Sequence, residues 1–353
     1  MNKIGIVGLG LMGGSLAKSF AHLDDVDEIV AYDMDFKSLE KAKNEKIISK
    51  ISYDIDENFE NLDFIFICTP VNTIYEYAKK LKNIVKSDCI ITDIGSTKKN
   101  IVEQIDELGI NFVGAHPMIG SEKYGYQFSS DDLFTNSYYI LTMTSKTKGE
   151  NIKKLQRLIK KIGANPLIVN LDEHDFAVGA VSHVPHIVAA GLVNLVKKLD
   201  NENGTMKTIA AGGFKDITRI ASANPHMWQN VCKQNKEQVV IILDQFKNII
   251  ESFKNNIEKD EEVYQYFETA KEYRDSFSTN HKIDYVTIET KDKIGVLADI
   301  TTICSQNYIN IRNIKLLRTK EKEEVIINIL FENEKDRKKS IELFEKNKYN
   351  ILS

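Results

Sequence analysis

Cysteine is scarce in this chain, with only four among 353 residues. They are Cys68, Cys89, Cys232 and Cys304, which lie far apart and outside any CxxC pair or cysteine–histidine cluster. Structural zinc sites and disulfide frameworks both use closely spaced cysteines, so the sequence argues against either. We therefore expect no metal and a protein of the reducing cytoplasm.

Long apolar runs and a strong net charge are also missing. No run of about 18 apolar residues, the length of a membrane span, stands out, and glycines and Lys18 interrupt the apolar stretch at 4–21. The net charge of −4 gives no general attraction to nucleic acid or to anionic membranes. A hydrophobic content of 42% and a charged content of 28% are typical of a globular protein. We expect two or three domains, with no nucleic-acid or membrane partner.

Short apolar runs alternate with helical patterns over the first part of the chain. The runs are KIGIVG (3–8), EIVAYD (28–33), FIFIC (64–68), CIITDI (89–94), FVGAH (112–116), YYILTM (138–143) and PLIVNL (166–171). Alternating strands and helices predict a mostly parallel sheet that is covered on both faces. Residues 1–171 are therefore predicted to form one α/β domain.

The remaining sequence contains two further regions, each with its own pattern of predicted helices and strands. Residues 172–275 show helical patterns with little strand signal, and 177–195 is apolar nearly all round, which favours burial in a bundle or a dimer. Residues 276–283 are predicted to be a linker. Residues 284–353 have the order βαββα with a short terminal strand, which predicts a small α+β (βαββαβ) module.

A glycine-rich loop follows the first predicted strand and opens the first helix. Its residues are Gly8, Leu9, Gly10, Leu11, Met12 and Gly13. In this GxGxxG pattern the glycines allow a tight turn, close approach of a pyrophosphate and close packing of helix on strand. Asp33 ends the second strand, where its carboxylate suits a ribose 2′-hydroxyl and repels a 2′-phosphate. The sequence thus predicts a Rossmann domain that binds NAD in preference to NADP.

Three other strand ends carry residues that suit a ligand crevice. Thr69-Pro70 and Ser96 follow two of the predicted strands, and His116 ends another, just before Pro117. Ligands of parallel sheets bind beyond the carboxyl ends of the strands. A neutral imidazole there is suited to accept a proton near pH 7. The alternative is that His116 is an ordinary loop histidine beside a turn-forming proline.

The segment SHVPH (182–186) places two polar side chains on the apolar helix. Ser182 and His186 are four residues apart and share a face, and Pro185 should kink the helix because it frees the carbonyl of Val181. A proline that interrupts a helix beside polar side chains is typical of functional sites. Taken alone, either histidine is better interpreted as a hydrogen-bonded core residue.

The segment GGFKDITR (212–219) places two cations on one predicted helix face. Lys215 and Arg219 are four residues apart, and together they suit a substrate with two carboxylates. A solvated basic face is the other interpretation.

Taken together, these segments resemble the prephenate dehydrogenases of tyrosine biosynthesis. The matching pieces are GLGLMGGS (8–15), TDIGSTK (92–98), GAHPMIGSEKYG (114–125), SHVPH (182–186) and GGFKDITRIA (212–221). The tail from Asp284 resembles an ACT domain, although isoleucine replaces a frequent proline in its loop at 292–297. An NAD-binding domain, a helical dimerisation domain and a regulatory module are what this resemblance implies.

The resemblance also implies a reaction and residue roles. Prephenate would be oxidatively decarboxylated to 4-hydroxyphenylpyruvate while NAD is reduced. His116 would hydrogen-bond the ring hydroxyl and take its proton, and Ser96 would contact that hydroxyl and the nicotinamide. Arg219 would hold the ring carboxylate. Lys215 would assist it, from the same subunit or from the other subunit of a dimer.

Further roles follow from the same resemblance. Ser182 and His186 would contact the pyruvyl side, and Glu122 would join the polar network there. The enzyme would be a homodimer that tyrosine inhibits through the tail. The candidate effector residues are Asp292, Gly295, Leu297 and Asn310.

Three alternatives remain open from the sequence. An arogenate dehydrogenase would differ only in the side chain of its substrate. A β-hydroxyacid dehydrogenase also begins with GLGxMG but has no need of SHVPH or GGFKDITR. A non-catalytic regulatory protein that senses an amino acid would be favoured by loss of His116, Ser96 or Arg219, and all three are present.

Overall fold

The computed structural model describes residues 1–120, 123–143, 147–279, 286–291, 293–318 and 324–351. The chain divides into two compact units, Met1–Ile249 and Ile250–Ser353. Two of the predicted site residues, Glu122 and Asp292, lie outside the described residues.

The first unit is built on one large sheet. Its strands are β1 (Asn2–Val7), β2 (Val26–Tyr32), β3 (Lys50–Ile51), β4 (Phe64–Ile67), β5 (Ile90–Asp93), β6 (Phe112–Pro117), β7 (Tyr138–Met143) and β8 (Asn165–Asn170). They lie in the order β3-β2-β1-β4-β5-β6-β7-β8. Only the pairing of β6 with β7 is antiparallel within this sheet as described. The predicted mostly parallel α/β fold is confirmed.

Helices cover both faces of this sheet. They are α1 (Leu11–Ala21), α2 (Phe36–Asn44), α3 (Ile74–Leu81), α4 (Lys99–Asp106) and α5 (Gly149–Lys161). Strand β4 shows why its sequence is apolar throughout: Phe64 and Phe66 pack into the core on one face, and Ile65 and Ile67 pack into the core on the other. Side chains alternate along a strand, so burial on both faces leaves no polar position.

The strand order reverses direction between β1 and β4, where the chain returns to the middle of the sheet. Crevices at such points, beyond the carboxyl ends of the strands, bind ligands in open α/β sheets. Here the crevice lies beside the glycine loop after β1 and the Thr69 loop after β4. The fold therefore places the predicted nucleotide residues at one edge.

A helical region completes the first unit. Its elements are α6 (Leu171–Val178), a π-helical segment (Gly179–His183), α7 (Val184–Leu199), α8 (Thr205–Ile209), α9 (Gly212–Thr218), a 3₁₀ segment (Arg219–Ser222), α10 (Pro225–Gln234) and α11 (Lys236–Glu258), which continues into the second unit. The helical character predicted for this region is confirmed.

The irregularity predicted at Pro185 takes the form of the π-helical segment. The backbone N–H of Val184 donates to the carbonyl of Gly179, five residues earlier. Pro185 then occupies the first turn of α7, where a missing N–H is tolerated. A π segment inserted between two α-helices often accompanies a functional site.

The expectation that the chain has no segment apolar enough to span a membrane is wrong by the criteria of length and composition. The continuous helical stretch Leu171–Leu199 is long and apolar enough, by length and composition, to cross a membrane, with a hydropathy of 1.6 in its most apolar window. Only 28% of that window is buried within the chain. The sequence count missed it because isolated polar residues such as His183 interrupt the apolar run without lowering its average hydropathy much. The side chain of His183 is buried.

The second unit contains α12 (Tyr264–Thr279) and a small sheet with two helices. The elements of the latter are β9 (Val286–Lys291), α13 (Val296–Gln306), β10 (Ile311–Arg318), β11 (Glu324–Phe331), α14 (Glu334–Lys346) and β12 (Asn350–Ile351). The strand order is β10-β11-β9-β12. This arrangement confirms the predicted βαββαβ module. Helix α12 continues to Thr279, beyond residue 276, where the linker was predicted to begin.

Candidate active site

The glycine loop has the geometry that a dinucleotide pyrophosphate requires. Gly8 has a φ of 98°, a conformation that side chains disfavour. A Cβ on Gly13 would lie 1.9 Å from the carbonyl oxygen of Gly8, so only glycine lets α1 approach the loop this closely. Among the described residues, a Cβ on Gly10 would meet nothing within 4 Å, and none of their side chains caps α1 there. The open space and the positive end of the helix suit an anion.

Asp33 lies beside this loop, directly after β2. Its carboxylate accepts hydrogen bonds from the backbone N–H of Leu9 and, at 2.7 Å, from that of Asp35. These bonds fix the orientation of the carboxylate, and each carboxylate oxygen retains capacity for a further donor. The arrangement fits the ribose of a nucleotide bound at the loop.

The loops after β4 and β5 border the same edge of the sheet. The hydroxyl of Thr73 donates to the hydroxyl of Thr69 at 3.0 Å and to the carbonyl of Pro70 at 2.7 Å. Ser96 is half-buried in the loop between β5 and α4. These three predicted cofactor residues are thus placed on loops beyond the carboxyl ends of neighbouring strands.

A fully buried ion pair underlies the end of β6. The ammonium of Lys98 contacts Oδ2 of Asp93, and both side chains are wholly inaccessible. Oδ1 of Asp93 accepts a hydrogen bond of 2.9 Å from the backbone N–H of Ala115, the residue before His116. The pair therefore holds β5 and β6 together next to the predicted base.

His116 is buried and contacts a second histidine that the sequence analysis did not select. Its Nδ1 lies 2.9 Å from Nε2 of His174, and Nδ1 of His174 lies 2.7 Å from Oδ1 of Asp175. The carboxylate of Asp175 also accepts hydrogen bonds from the backbone N–H groups of Lys98, at 2.8 Å, and Lys99, at 3.0 Å. The end of β6 is in this way linked to α6 and to the first turn of α4.

The environment keeps these two imidazoles neutral. Burial lowers the pKa of His116 well below its ordinary value, and the neighbouring His174, Lys98 and His183 lower it further. Burial also lowers the pKa of His174, against the opposing hydrogen bond to Asp175. Burial raises the pKa of Asp175, but its hydrogen bonds outweigh this effect and leave the pKa below its ordinary value. At neutral pH the group is therefore a neutral histidine pair beside a carboxylate.

The network continues to the histidines of SHVPH. Asn235 donates to the backbone carbonyl of Asp175 at 2.8 Å and lies 3.0 Å from Nδ1 of His183. The indole ring of Trp228 stands edge-on to His183 and stacks on His186 at 3.8 Å between ring centroids. Nδ1 of His186 lies 2.9 Å from the backbone carbonyl of Ser182. Contacts thus connect the predicted base to the predicted substrate residues.

The two predicted cations lie on elements that pack against α7. Lys215 is in α9, whereas Arg219 begins the 3₁₀ segment that follows it. Both are exposed in the single chain, and both elements contact α7, which carries His186. The single continuous helix predicted for this pair is replaced by a change of helix type between them.

Sequence reasoning missed four residues of this site: His174, Asp175, Trp228 and Asn235. The adjacent His174-Asp175 in the first turns of α6 was a usable signal, because a histidine and a carboxylate next to each other at a helix start are both capable of reaching a neighbouring strand end. Trp228 is the only tryptophan of the chain. Its buried Nε1, like Nε2 of His183, has no hydrogen-bond partner among the described residues.

Comparisons with known proteins show which family the chain belongs to. Three family models match: "Prephenate dehydrogenase, nucleotide-binding domain" over residues 19–168, "Prephenate dehydrogenase, dimerization domain" over 170–272, and "AHAS small subunit-like ACT domain" over 286–351. The prephenate dehydrogenase of Bacillus subtilis is 32% identical over 351 residues, which cover 96% of this chain and 95% of that protein.

The chain belongs to the prephenate dehydrogenase family. This membership removes the β-hydroxyacid dehydrogenase alternative.

Two solved structures extend the comparison. Prephenate dehydrogenase from Aquifex aeolicus, crystallised with hydroxyphenyl propionate and NAD⁺, is 35% identical with a TM-score of 0.75, over 78% of this chain and 98% of that one. Arogenate dehydrogenase from Synechocystis is 26% identical with a TM-score of 0.71, over 78% of this chain and 99% of that one. About a fifth of the present chain therefore has no counterpart in either of these two solved structures.

The candidate effector residues lie in the ACT-like module. Gly295, with a φ of 93°, directly precedes α13, and Leu297 is half-buried in its first turn. Asn310 is exposed, and its amide donates to Oε2 of Glu332 at 3.2 Å.

Proposed function

We propose that this chain oxidises and decarboxylates prephenate to 4-hydroxyphenylpyruvate in the biosynthesis of tyrosine, with NAD⁺ as the hydride acceptor. The observation that carries the proposal is the buried, neutral His116 at the carboxyl end of β6, in the same unit as the glycine loop. A base placed at that edge of the sheet suits removal of a proton from a substrate hydroxyl.

Bound NAD⁺ supplies the acceptor for the hydride. At the substrate, the ring C–H bond breaks with its electron pair, and the hydroxyl proton passes to His116 as the C=O bond forms. The bond to the opposite carboxylate then breaks, carbon dioxide leaves, and its electron pair makes the ring aromatic. His116 returns its proton to the phenolate oxygen, so no net proton is released. The protein must orient the donor carbon and hold one proton.

The remaining predicted residues are assigned to the substrate. Arg219 binds the ring carboxylate, with its charge supported by Lys215. Ser182 and His186 contact the pyruvyl side, where the stacked Trp228 fixes the plane of the His186 ring. Ser96 contacts the ring hydroxyl and the nicotinamide. Glu122, outside the described residues, is assigned to the polar network on the pyruvyl side.

A continuous assay of NADH formation with prephenate and with arogenate tests the proposal. We expect turnover with prephenate and weaker or no turnover with arogenate. The likeness to the Synechocystis arogenate dehydrogenase keeps the second substrate as the alternative function. Absence of turnover with both would contradict the proposal and favour the non-catalytic regulatory protein.

We also propose a homodimer formed through residues 172–275. The support is the matched dimerization domain and the exposure of apolar residues on α7, where Leu195 is 51% and Leu199 is 58% exposed in the single chain. Such a surface is typical of a protein–protein interface. We propose three domains, with boundaries at 1–171, 172–275 and 284–353. We also propose that the protein is located in the cytoplasm.

The ACT-like module is proposed to mediate inhibition by tyrosine. Coupling between separate sites is usually worth about 1–3 kcal/mol, or roughly a 5–150-fold change in affinity. Removal of residues 284–353 should abolish tyrosine sensitivity and leave turnover intact. Asn310→Ala in the full chain should weaken the inhibition. Inhibition that persists in both would place tyrosine in the active site, where it resembles the product.

A further inference from the structure

Helix α6 presents a carboxylate whose hydrogen bonds leave little freedom for its neighbours. Oδ1 of Asp175 accepts from the backbone N–H of Lys98 and lies 2.7 Å from Nδ1 of His174, while Oδ2 accepts from the backbone N–H of Lys99. An ionised carboxylate can only accept. The proton of neutral His174 must therefore be on Nδ1, and its lone pair on Nε2.

The same argument passes to His116. Nε2 of His174, which carries a lone pair, faces Nδ1 of His116 at 2.9 Å. His116 satisfies that contact only by donating a proton from Nδ1, which leaves its own lone pair on Nε2. The opposite tautomer would place two lone pairs face to face in a buried site. Burial strengthens the preference, because no water can take the place of the lost hydrogen bond.

We propose that His174 and Asp175 are positioning residues that hold His116 in the tautomer with its proton on Nδ1, so that Nε2 is the atom that takes the substrate's hydroxyl proton. This inference rests on the proposed function. It adds that the tautomer and the orientation of the base are set by two residues, His174 and Asp175, which lie on α6 and not on β6, the strand that carries the base.

The surroundings of the pair fit such a role. Asp175 binds backbone N–H groups at the start of α4, so the carboxylate is fixed by main chain and does not depend on a flexible partner. Among the described residues, the other ionisable groups near His116 are the Lys98–Asp93 ion pair, which is internally neutralised, and His183, whose pKa is lowered by burial so that it is uncharged. When His116 holds a proton, the carboxylate of Asp175 is the nearest uncompensated negative charge along the hydrogen-bonded chain.

The first test reads the tautomer directly. Long-range ¹H–¹⁵N correlation spectra of the full chain with ¹⁵N-labelled histidine show which ring nitrogen carries the proton, and loss of a signal set in His116→Asn assigns that residue. We expect a protonated Nδ1 and a bare Nε2 on His116. A His116 that is protonated on Nε2 in the wild-type protein would overturn the inference, whatever the activity.

The second test uses two matched amides in place of His174. In His174→Asn the amide occupies the place of Nδ1, so it can still donate to Asp175 but no longer reaches His116. In His174→Gln the amide oxygen occupies the place of Nε2, so it can still accept from His116. We expect His174→Asn to lose about 10–100-fold in kcat with little change in KM, and His174→Gln to stay within a few-fold of wild type.

The outcomes separate the inference from the function on which it rests. Equal losses of kcat in the two variants, with equal losses in Tm, would mean a structural role and overturn the inference. An unchanged kcat in His174→Asn would also overturn it, while turnover of prephenate by the wild type would keep the proposed function. A wild type without turnover would contradict the proposed function, and the NMR result would still decide the tautomer.

Discussion

Gly13 lies so close to Gly8 that a Cβ on the former would stand 1.9 Å from the carbonyl oxygen of the latter. Gly10, three residues before Gly13, has open space instead. Two glycines of one motif thus have different reasons to be glycine. Gly13 serves the packing of the free protein, and Gly10 is proposed to serve the ligand.

Alanine at these two positions should therefore give opposite results. Gly13→Ala should lose stability on the order of 4 kcal/mol, because backbone must move. Gly10→Ala should keep its stability within about 1 kcal/mol and bind NAD⁺ on the order of tenfold more weakly or worse. Thermal unfolding and titration with NAD⁺ measure both. Normal NAD⁺ affinity in Gly10→Ala would mean that the pyrophosphate does not approach this glycine.

Asp33 should set the choice of cofactor. The wild type should prefer NAD⁺ in kcat/KM, because the carboxylate beside the loop repels a 2′-phosphate. Asp33→Asn removes the charge and retains an acceptor for the Leu9 N–H. The ratio of kcat/KM with NAD⁺ to kcat/KM with NADP⁺ should therefore fall. Asp35→Asn is the control, since Asp35 caps α2 through the Lys37 N–H and should leave the preference unchanged. A wild type that prefers NADP⁺ would refute the role of Asp33.

His116→Asn should lower kcat by about 10²–10⁴-fold with a smaller change in KM, since it removes the proposed general base. The matched control is His22→Asn. His22 is an exposed histidine that follows the C-terminal end of α1, so it lies at the opposite edge of the sheet from the glycine loop. Steady-state kinetics with prephenate compare the three proteins. Equal kcat in His116→Asn and wild type would remove His116 from the mechanism.

Arg219→Ala should mainly raise the KM for prephenate, because it removes the proposed bidentate partner of the ring carboxylate. Arg219→Lys keeps the charge without the fork and should fall between the two. The same assay at varied prephenate concentration measures the effect. An unchanged KM in Arg219→Ala would show that the ring carboxylate is held elsewhere.

Acid should destabilise the protein before its carboxylates titrate. Burial lowers the pKa of His116, His174, His183 and His186, that of His183 to about 4. In the unfolded chain these histidines take up protons near pH 6.5, so unfolding binds protons below that pH. Stability should be complete above about pH 6.5 and fall as the pH drops toward about 4.

Urea unfolding from about pH 8 to about pH 5 measures this slope, and His183→Asn should reduce it. Stability that is constant or rises over this range would contradict the buried, neutral state of the histidines.

The parts of the site that the sequence revealed depend on short-range patterns. The glycine loop, Asp33 and the strand ends follow from spacing and from the rule that parallel strands end at a common edge. The contact of His116 with His174 spans 58 residues and joins a strand end to a helix, and no local pattern encodes it. The sequence predicts an irregularity at Pro185 but not its π-helical form, and it does not predict the 3₁₀ segment at Arg219, because packing outweighs helix periodicity at both places.

The π-helical segment Gly179–His183 has a consequence for how this chain can change. It adds a residue between the helix that carries His174 and the helix that carries His186. Each residue of an α-helix turns the chain by about 100°. Deleting one residue there would restore a regular helix and swing His186 away from the indole of Trp228. Related sequences should therefore very rarely differ in the length of this stretch.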